Sequence, residues 1–240
     1  MIGISGYSGL LGSSLLRKFK LTKTQYKVFG RKNNTENSFD NFAYLNLNHG
    51  ISKNIIEELK GIKVFIHCAA QIKPSKSLIS SHLIHKEFLD RNAIFQSQLI
   101  EACLKADVRK LVVISATNNL KPNKNGLIDK ESSFQTNLKS SYLISKMVAE
   151  LLSKTYSNEK IFIQFIRPSS IYGPNSKYGL VNKFIDSLMN GREIIIDGDG
   201  SWSSDLVYVD DVTEIIFKLI NNFKENEINV GTGKLTSILS

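Results

Sequence analysis

A tyrosine and a lysine four residues apart, Tyr142 and Lys146, are the side chains of this sequence whose types and spacing most directly suggest chemistry. Residues four apart on a helix lie on one face, so we expect the lysine ammonium to lie beside the phenol. A neighbouring positive charge lowers the cost of ionising a tyrosine, whose ordinary pKa is about 10. A tyrosine that can exchange a proton near neutral pH is half of a site that interconverts alcohols and ketones, and a bound hydride carrier would be the other half.

The first twelve residues have the pattern of a cradle for such a carrier. Ser5-Gly-Tyr-Ser-Gly-Leu-Leu-Gly12 follows a predicted strand and opens a predicted helix. Gly6 permits the tight turn, Gly9 lets the backbone approach a pyrophosphate, and Gly12 lets the helix pack closely on the strand. The N-terminus of the helix then offers free N–H groups and a positive dipole end to the phosphates. A glycine-rich turn without a ligand is the simpler alternative. The residues expected to form the cradle are Gly6, Tyr7, Ser8, Gly9, Leu10, Leu11 and Gly12.

The residues at the end of the second predicted strand indicate which dinucleotide would bind. An NAD site has Asp or Glu there for the ribose hydroxyls, whereas a nearby arginine suits the 2′-phosphate of NADP. The strand ends in Val28-Phe-Gly-Arg-Lys32 without an acidic residue. Arg31 and Lys32 would pair well with a phosphate, and two solvated charges at a strand end are the alternative. The residues therefore favour NADP(H) over NAD(H).

Composition and charge limit the class of protein. The chain has 240 residues, of which 42% are hydrophobic and 22% charged, as in an ordinary soluble globular protein. Its longest apolar runs, such as Leu111-Val-Val-Ile114, are too short to cross a bilayer, and no signal peptide is recognisable. Cys68 and Cys103 lie within apolar patterns, which favours a reducing cytoplasm over a disulfide. The net charge of +9 comes from scattered lysines without interleaved aromatic residues, so we expect neither a nucleic-acid nor a membrane partner.

Short β-rich runs alternate with helical patterns through the first two-thirds of the chain, which predicts an α/β fold. Right-handed crossovers between such strands give a Rossmann-type, doubly wound parallel sheet covered on both faces. The strand candidates are Met1–Ser5, Tyr26–Gly30, Ala43–Leu47, Lys63–His67, Lys110–Ser115 and Ile161–Arg167. The helix candidates are Leu10–Lys20, Lys53–Leu59, His82–Ala106 and Ser141–Tyr156.

The alternation fades after Pro168, which predicts a smaller lobe at the carboxyl edge of the sheet. A helix near Val181–Met189, an apolar run Glu193–Ile196, a turn over 197–200 and a helix near Asp210–Asn221 would form it. We therefore expect a dinucleotide-binding domain over residues 1–167 and a substrate-binding lobe, partly interleaved with it, over residues 168–240.

Further motifs follow one another in an order that is known from one family. They are His67-Cys-Ala-Ala70, Asn92 in the long predicted helix His82–Ala106, Arg167-Pro-Ser-Ser-Ile-Tyr-Gly-Pro174, Gly198-Asp-Gly200, Val207-Tyr-Val-Asp-Asp-Val212 and Asn229-Val-Gly-Thr-Gly233. With the glycine turn and the tyrosine–lysine pair, they extend over nearly the whole chain. The sequence resembles the extended short-chain dehydrogenase/reductase family, in its NAD-dependent epimerase/dehydratase group.

The resemblance implies roles for residues at matching positions. Tyr142 would be the general acid/base, and Lys146 would lower its pKa and hold the nicotinamide ribose. A hydroxyl at the end of the fifth strand would hydrogen-bond the substrate oxygen; Ser115 is the first choice and Thr117 the second. A hydroxyl that only ties down local backbone is the alternative for Ser115.

The resemblance also implies contacts outside the glycine turn. Besides Tyr142 and Lys146, the expected cofactor contacts are Asn46, Leu47, Cys68, Ala69, Ala70, Pro168 and Ser169. The expected substrate contacts are Gln71, Ser170 and Ser204. No metal site is expected, because no second histidine or cysteine lies at ligand spacing from His67 and Cys68.

The implied reaction is hydride transfer at a hydroxyl or keto carbon, most simply of a nucleotide-linked sugar, by an epimerase or a keto-sugar reductase. Dehydratases of the group usually carry an acidic pair where this chain has Ala116-Thr-Asn-Asn119, which disfavours dehydration. An NADPH-dependent reductase of a small non-sugar aldehyde or ketone is one alternative. A non-catalytic dinucleotide-binding sensor is another, although such proteins typically lose the tyrosine or the lysine.

Two positions depart from the pattern of nucleotide-sugar enzymes. Ser170 stands where an asparagine is common, and Ser204 stands where an arginine grips the diphosphate. A serine cannot replace the charged, bidentate guanidinium, so either the diphosphate is held elsewhere, by a lysine for example, or the substrate is a different one. Relatives also continue beyond the position of Ser240, so we expect a shortened substrate lobe or a piece of a longer chain.

Association into a homodimer is a further expectation. The predicted helices His82–Ala106 and Ser141–Tyr156 carry apolar residues around much of their circumference. One face must cover the sheet, and the other could pack against a second copy, as relatives commonly do. Complete burial within one chain is the alternative.

Overall fold

The structure of the chain is a computed structural model that describes residues 1–31, 39–47, 50–75, 80–156, 160–174, 176, 178–196 and 198–239. The strands are β1 (Ile2–Ser5), β2 (Tyr26–Gly30), β3 (Phe42–Tyr44), β4 (Val64–His67), β5 (Lys110–Ile114), β6 (Phe162–Pro168), β7 (Ser170–Tyr172), β8 (Ser203–Tyr208), β9 (Glu227–Val230) and β10 (Leu235–Ser237). The helices are α1 (Leu10–Leu21), α2 (Lys53–Leu59), α3 (Ser81–Phe88), α4 (Phe95–Lys105), α5 (Ser141–Lys154), α6 (Leu180–Met189) and α7 (Val209–Leu219).

A seven-stranded sheet with the order β3-β2-β1-β4-β5-β6-β9 forms the centre of the molecule. Every neighbouring pair in it is parallel. The strand order reverses between β1 and β4, where ligands of such sheets bind outside the carboxyl ends of the strands. The predicted Rossmann-type α/β fold is confirmed.

Two apolar cores cover the two faces of the sheet. Neighbouring residues of a strand point to opposite faces, so Phe65 belongs to one core and Ile66 to the other. The first core lies under α2 and α4, and the second lies under α1 and α7. Burial on both faces explains why β4 is apolar throughout Val64–Ile66 rather than alternating. Among the described residues, no helix is long and apolar enough to span a bilayer.

The chain after Pro168 contributes to two parts of the molecule. β7, β8 and β10 form a separate three-stranded sheet. β9, however, pairs with β6 in the central sheet, and α7 packs against α1. Asp210 of α7 accepts hydrogen bonds from Ser14 at 2.6 Å and Arg17 at 2.5 Å, and Lys18 pairs with Glu214 at 2.6 Å. The last third of the chain is therefore partly interleaved with the first, and the division at residue 167 stays a prediction.

The helix predicted over His82–Ala106 is interrupted. A π-helical stretch, Leu89–Ile94, lies between α3 and α4. Such a stretch widens the helix locally and changes the direction in which its side chains point. Here it contains Asn92, which is buried. The apolar run Glu193–Ile196 is neither strand nor helix, and Asp197 of the predicted turn lies outside the described residues.

The turn after β1 depends on close backbone packing at the switch point. Gly6 has a φ of +76°, and a Cβ there would lie 2.4 Å from the backbone of Cys68 and Ala69. A Cβ on Gly12 would lie 2.2 Å from the carbonyl oxygen of Gly6. The glycine turn, the start of α1 and the segment after β4 are therefore in direct contact. A Cβ on Gly9 would approach no closer than 3.3 Å, also to the Gly6 oxygen.

Substituting Gly12 should therefore destabilise the protein. We expect Gly12→Ala to lower the free energy of unfolding by about 2 kcal/mol, because α1 must move away from the Gly6 carbonyl. Denaturant unfolding followed by circular dichroism would measure it. Gly9→Ala is the matched control, since Gly9 has an ordinary φ of −83° and more space, and should change stability by less than about 1 kcal/mol. Equal stability of Gly12→Ala and the wild type would contradict this packing.

Candidate active site

The helix α5 carries Tyr142 and Lys146 at the carboxyl edge of the sheet. Its N-terminus is capped by Ser140, whose hydroxyl accepts a hydrogen bond from the N–H of Leu143 at 3.4 Å. The ring of Tyr142 makes an edge contact with Phe88 of α3, with ring centroids 6.3 Å apart. The side chain of Lys146 is buried. The pair predicted from the sequence is therefore held on one face of a packed helix.

The electrostatics of the pair differ from the expectation. Burial lowers the pKa of Lys146 to about 8. Glu150 and Cys68 oppose that change, because their ionised forms attract the ammonium. Burial raises the pKa of Tyr142 above its usual value. The predicted lowering of the Tyr142 pKa by Lys146 is therefore wrong for this structure, because loss of water around the phenol dominates. The positive charge of Lys146 acts instead on His67, Cys68 and Glu150.

A buried ion-pair network begins one turn beyond Lys146. Glu150 is 1% exposed and accepts hydrogen bonds from Nε of Arg167 at 3.1 and 3.2 Å. Nη2 of Arg167 also contacts Glu150 and donates to Glu227 of β9 at 2.6 Å. Lys154 pairs with Glu227 at 2.5 Å. The network links α5 to β6 and β9 and was not predicted from the sequence, although Glu150 and Lys154 continue the four-residue spacing that starts at Tyr142.

The two hydroxyls proposed at the end of β5 have different environments. The Ser115 side chain is buried, and its Oγ has no hydrogen-bond partner among the described residues. The Thr117 hydroxyl donates to the carbonyl of Pro168 at 3.3 Å. A buried hydroxyl without a partner is costly, whereas one that receives a ligand atom is satisfied. Thr117 is thus engaged with the backbone, whereas the Ser115 hydroxyl has no partner among the described residues.

Buried amide side chains hold α5 against the segments that follow β4 and β5. Asn92 exchanges two hydrogen bonds with the backbone of Gln71, at 2.7 and 3.0 Å, and donates to Ser145 of α5 at 2.8 Å. Gln96 donates to the carbonyl of Ala149 at 3.1 Å. Asn119, oriented so that both ends of its amide are satisfied, contacts Leu143 and Met147 at 3.2 Å each.

Sequence reasoning identified Asn92 by resemblance and missed Gln96 and Asn119 in this role. The spacing of Asn92 and Gln96, two amides four residues apart on an apolar helix face, would have indicated a pair of buried, hydrogen-bonded side chains. Asn119 was noted only as a replacement for an acidic pair. Because these amides contact α5 within a few residues of Tyr142 and Lys146, they fix the position of the pair.

The segment after β4 lines the cleft beside the glycine turn. His67 accepts or donates a 2.7 Å hydrogen bond at Nδ1 with Ser5, and burial together with Lys146 lowers its pKa to about 3. Burial raises the pKa of the Cys68 thiol to about 12, so neither residue is charged near neutral pH. Ala69 packs on Gly6, and Ala70 follows it, both partly exposed. The environments of these four residues are those of side chains that line a cleft, and they do not favour acid/base chemistry.

The remaining expected cofactor positions surround the same edge. Arg31 is exposed at the end of β2, while Lys32 lies outside the described residues. Asn46 is exposed and Leu47 fully buried after β3. Pro168 ends β6, and Ser169 follows it beside Gly231, whose added Cβ would lie 3.3 Å from the Ser169 hydroxyl.

A dinucleotide fits this edge at the start of α1. No side chain of the described residues caps this N-terminus, so its first N–H groups remain for an anion, and Gly9 has no side chain that would occupy the space beside them. Such a group would be held by residues 6–12 and by the segment over residues 68–70.

Two of the three expected substrate residues, Ser170 and Ser204, lie within the three-stranded sheet. The hydroxyls of Ser170 and Ser204 hydrogen-bond to each other at 2.5 Å, across the parallel strands β7 and β8. A cavity of about 160 Å³ lies next to them, lined in part by Tyr172, Tyr178 and Trp202. Gln71 lies apart, in the segment clamped by Asn92, and its side-chain amide donates to the carbonyl of Lys73 at 2.6 Å.

Comparison with known proteins agrees with this arrangement. The NAD dependent epimerase/dehydratase family matches the chain over residues 2–231. A Methanocaldococcus jannaschii protein assigned provisionally as a UDP-glucose 4-epimerase is 31% identical, and the match covers 99% of this chain and 79% of that protein. The UDP-glucose 4-epimerase of Mycolicibacterium smegmatis is 27% identical, with coverage of 98% and 78%.

Among solved structures, MoeE5 in complex with UDP-glucose and NAD superposes with a TM-score of 0.84 at 23% identity, over 99% of this chain and 78% of that one. That similarity supports the Rossmann-type fold. The fold and the family match together define the class of the protein. The chain belongs to the NAD-dependent epimerase/dehydratase family, as its motifs predicted, and is an enzyme of that family.

The protonation state of Lys146 gives a direct test of the site electrostatics. Because its pKa is lowered to about 8, we expect the ammonium to be present below that pH and to be lost as the pH rises through it. NMR of the protein labelled with ¹⁵N-lysine would follow the Nζ resonance. A midpoint at or above the ordinary lysine pKa of about 10.4 would contradict the described burial.

Proposed function

We propose that the protein interconverts hydroxyl and keto groups of a nucleotide-linked sugar, most simply as a UDP-hexose epimerase. The observation that carries the proposal is the buried, unpartnered hydroxyl of Ser115 on the carboxyl edge that also bears Tyr142 and Lys146. The relatives named UDP-glucose 4-epimerase add the substrate class. The alternatives of a small-carbonyl reductase and a non-catalytic sensor have no comparable support.

In this mechanism the residues of the chain bind, orient and move a proton. Ser115 donates a hydrogen bond to the sugar oxygen that reacts, and Tyr142 exchanges the proton of that same oxygen. Lys146, protonated below about pH 8, places a positive charge next to the site, while burial keeps the phenol of Tyr142 protonated and able to donate its proton to the sugar oxygen. A nicotinamide dinucleotide, when bound, would supply the site with hydride chemistry.

The choice of dinucleotide is proposed from the end of β2. Arg31 is exposed there, and no acidic residue follows Gly30 directly, which favours a 2′-phosphate and hence NADP(H). The solved relative named above holds NAD, so the family accommodates the other cofactor as well.

Association and location also remain proposals. Leu83 of α3, Ile94 of the π-helical stretch and Leu151 of α5 are 40%, 48% and 45% exposed, and a second copy could cover them. The cytoplasmic location is an inference from cysteine use alone.

Replacing the proposed acid/base should separate chemistry from binding. We expect Tyr142→Phe to reduce turnover of a UDP-hexose by about a thousandfold, in the range of a lost general acid/base, while cofactor affinity stays within about twofold. Chromatography of the nucleotide sugars measures turnover, and fluorescence titration measures affinity. Ser115→Ala should lose turnover as well, whereas Thr117→Val should retain most of it. Full activity of Tyr142→Phe would remove the tyrosine from the mechanism.

Cofactor selection can be tested at Arg31. Because a carboxylate there would repel a 2′-phosphate and accept ribose hydroxyls, Arg31→Asp should shift the ratio of affinities from NADPH toward NADH by about tenfold or more. Direct titration of both cofactors gives the ratio. An unchanged ratio would show that Arg31 does not contact the cofactor.

A further inference from the structure

Position 204 carries a serine, so this position supplies no positive charge to a bound diphosphate. The Ser204 hydroxyl is engaged with Ser170 at 2.5 Å, so one of the two hydroxyl protons is used within the pair and one remains for an incoming phosphate. No lysine or arginine is among the described residues that line the neighbouring cavity of about 160 Å³. A diphosphate bound there would need a cation from outside the cavity wall.

One lysine lies against a residue of the cavity lining. The Nζ of Lys73 lies 4.8 Å from the centroid of the Tyr178 ring, and Tyr178 is part of the cavity lining. This is a cation–π contact, which orients an ammonium without neutralising it. Lys73 is exposed and forms no ion pair with a carboxylate of the described chain. Its charge is therefore available to an anion.

Both ends of this contact are anchored. The backbone of Gln71 is held by buried Asn92, and the side chain of Gln71 holds the carbonyl of Lys73 at 2.6 Å. On the opposite side, Ser176 donates to the carbonyl of Tyr178 at 2.6 Å. The same residue that positions α5, Asn92, thus positions the segment that carries Lys73.

We propose that Lys73, placed over Tyr178 at the mouth of this cavity, binds the diphosphate of the nucleotide-sugar substrate in place of an arginine at position 204. The proposal rests on the proposed function, since it assigns an anion-binding residue to that same site. A point charge on a flexible stem is less selective in geometry than a guanidinium, but it offers three donors to phosphate oxygens. The hydroxyl pair of Ser170 and Ser204 would then be an uncharged neighbour of the bound group.

Affinities of UDP and UDP-glucose, measured calorimetrically on the full chain with NADP⁺ or NAD⁺ present, whichever the protein binds more tightly, test the assignment. Loss of one charge-assisted contact should weaken both ligands by about tenfold in Lys73→Gln. Lys73→Arg, which keeps the charge, should stay within about threefold of the wild type. Lys105→Gln removes a lysine at the end of α4, remote from the cavity, and should change neither affinity. Because Lys73 is exposed, Lys73→Gln should unfold at the same temperature as the wild type.

The outcomes separate this assignment from the function on which it depends. Unchanged affinity for UDP and UDP-glucose in Lys73→Gln, with normal binding by the wild type, would overturn the role of Lys73 and leave the proposed function standing. A loss confined to UDP-glucose, with the affinity for UDP unchanged, would also overturn it, because Lys73 would then contact the sugar rather than the diphosphate. Failure of the wild type to bind any of these ligands would overturn both proposals.

Discussion

The burial of the Lys146 ammonium is the constraint on which the active edge of this protein depends. An ammonium removed from water is destabilised unless opposite charge lies nearby, and burial therefore lowers the pKa of Lys146 to about 8. Glu150, one turn further along α5, provides the opposing charge, but it is itself buried and needs partners. Arg167 of β6 is its main partner, and Glu227 of β9 and Lys154 complete the network. The helix that carries the proposed acid/base is thereby tied to two strands of the central sheet.

Buried amides complete this attachment from the other sides. Asn92 joins α5 to the segment after β4, and Asn119 joins it to the segment after β5. Buried polar contacts are satisfied in one arrangement only, so they specify position more than they add stability. The phenol of Tyr142, the hydroxyl of Ser115 and the cleft beside Gly6 consequently belong to one rigid edge. The π-helical stretch over Leu89–Ile94 contains Asn92 and belongs to the same attachment.

Much of this architecture could be predicted from the sequence because its signals are local. The glycine turn, the six strands up to β6 and the tyrosine–lysine spacing each lie within a dozen residues. Features that depend on contacts between distant segments could not be predicted. Residues 227–230 give no sign of returning to the central sheet, and Ser170 and Ser204 show their hydrogen bond only when β7 and β8 pair. The direction of the Tyr142 pKa shift was mispredicted because the helical spacing indicates a neighbouring charge but not how deeply the phenol is buried.

We propose that one edge of the sheet holds a dinucleotide on the glycine turn and presents a sugar oxygen to both Ser115 and Tyr142. A crystal structure of the protein with UDP-glucose and NADP⁺ or NAD⁺, whichever binds more tightly, would test this arrangement. We expect a pyrophosphate over the N-terminus of α1 and one sugar hydroxyl within about 3 Å of both the Ser115 Oγ and the Tyr142 hydroxyl. A bound sugar away from this edge, with the Ser115 hydroxyl still lacking a partner, would contradict it.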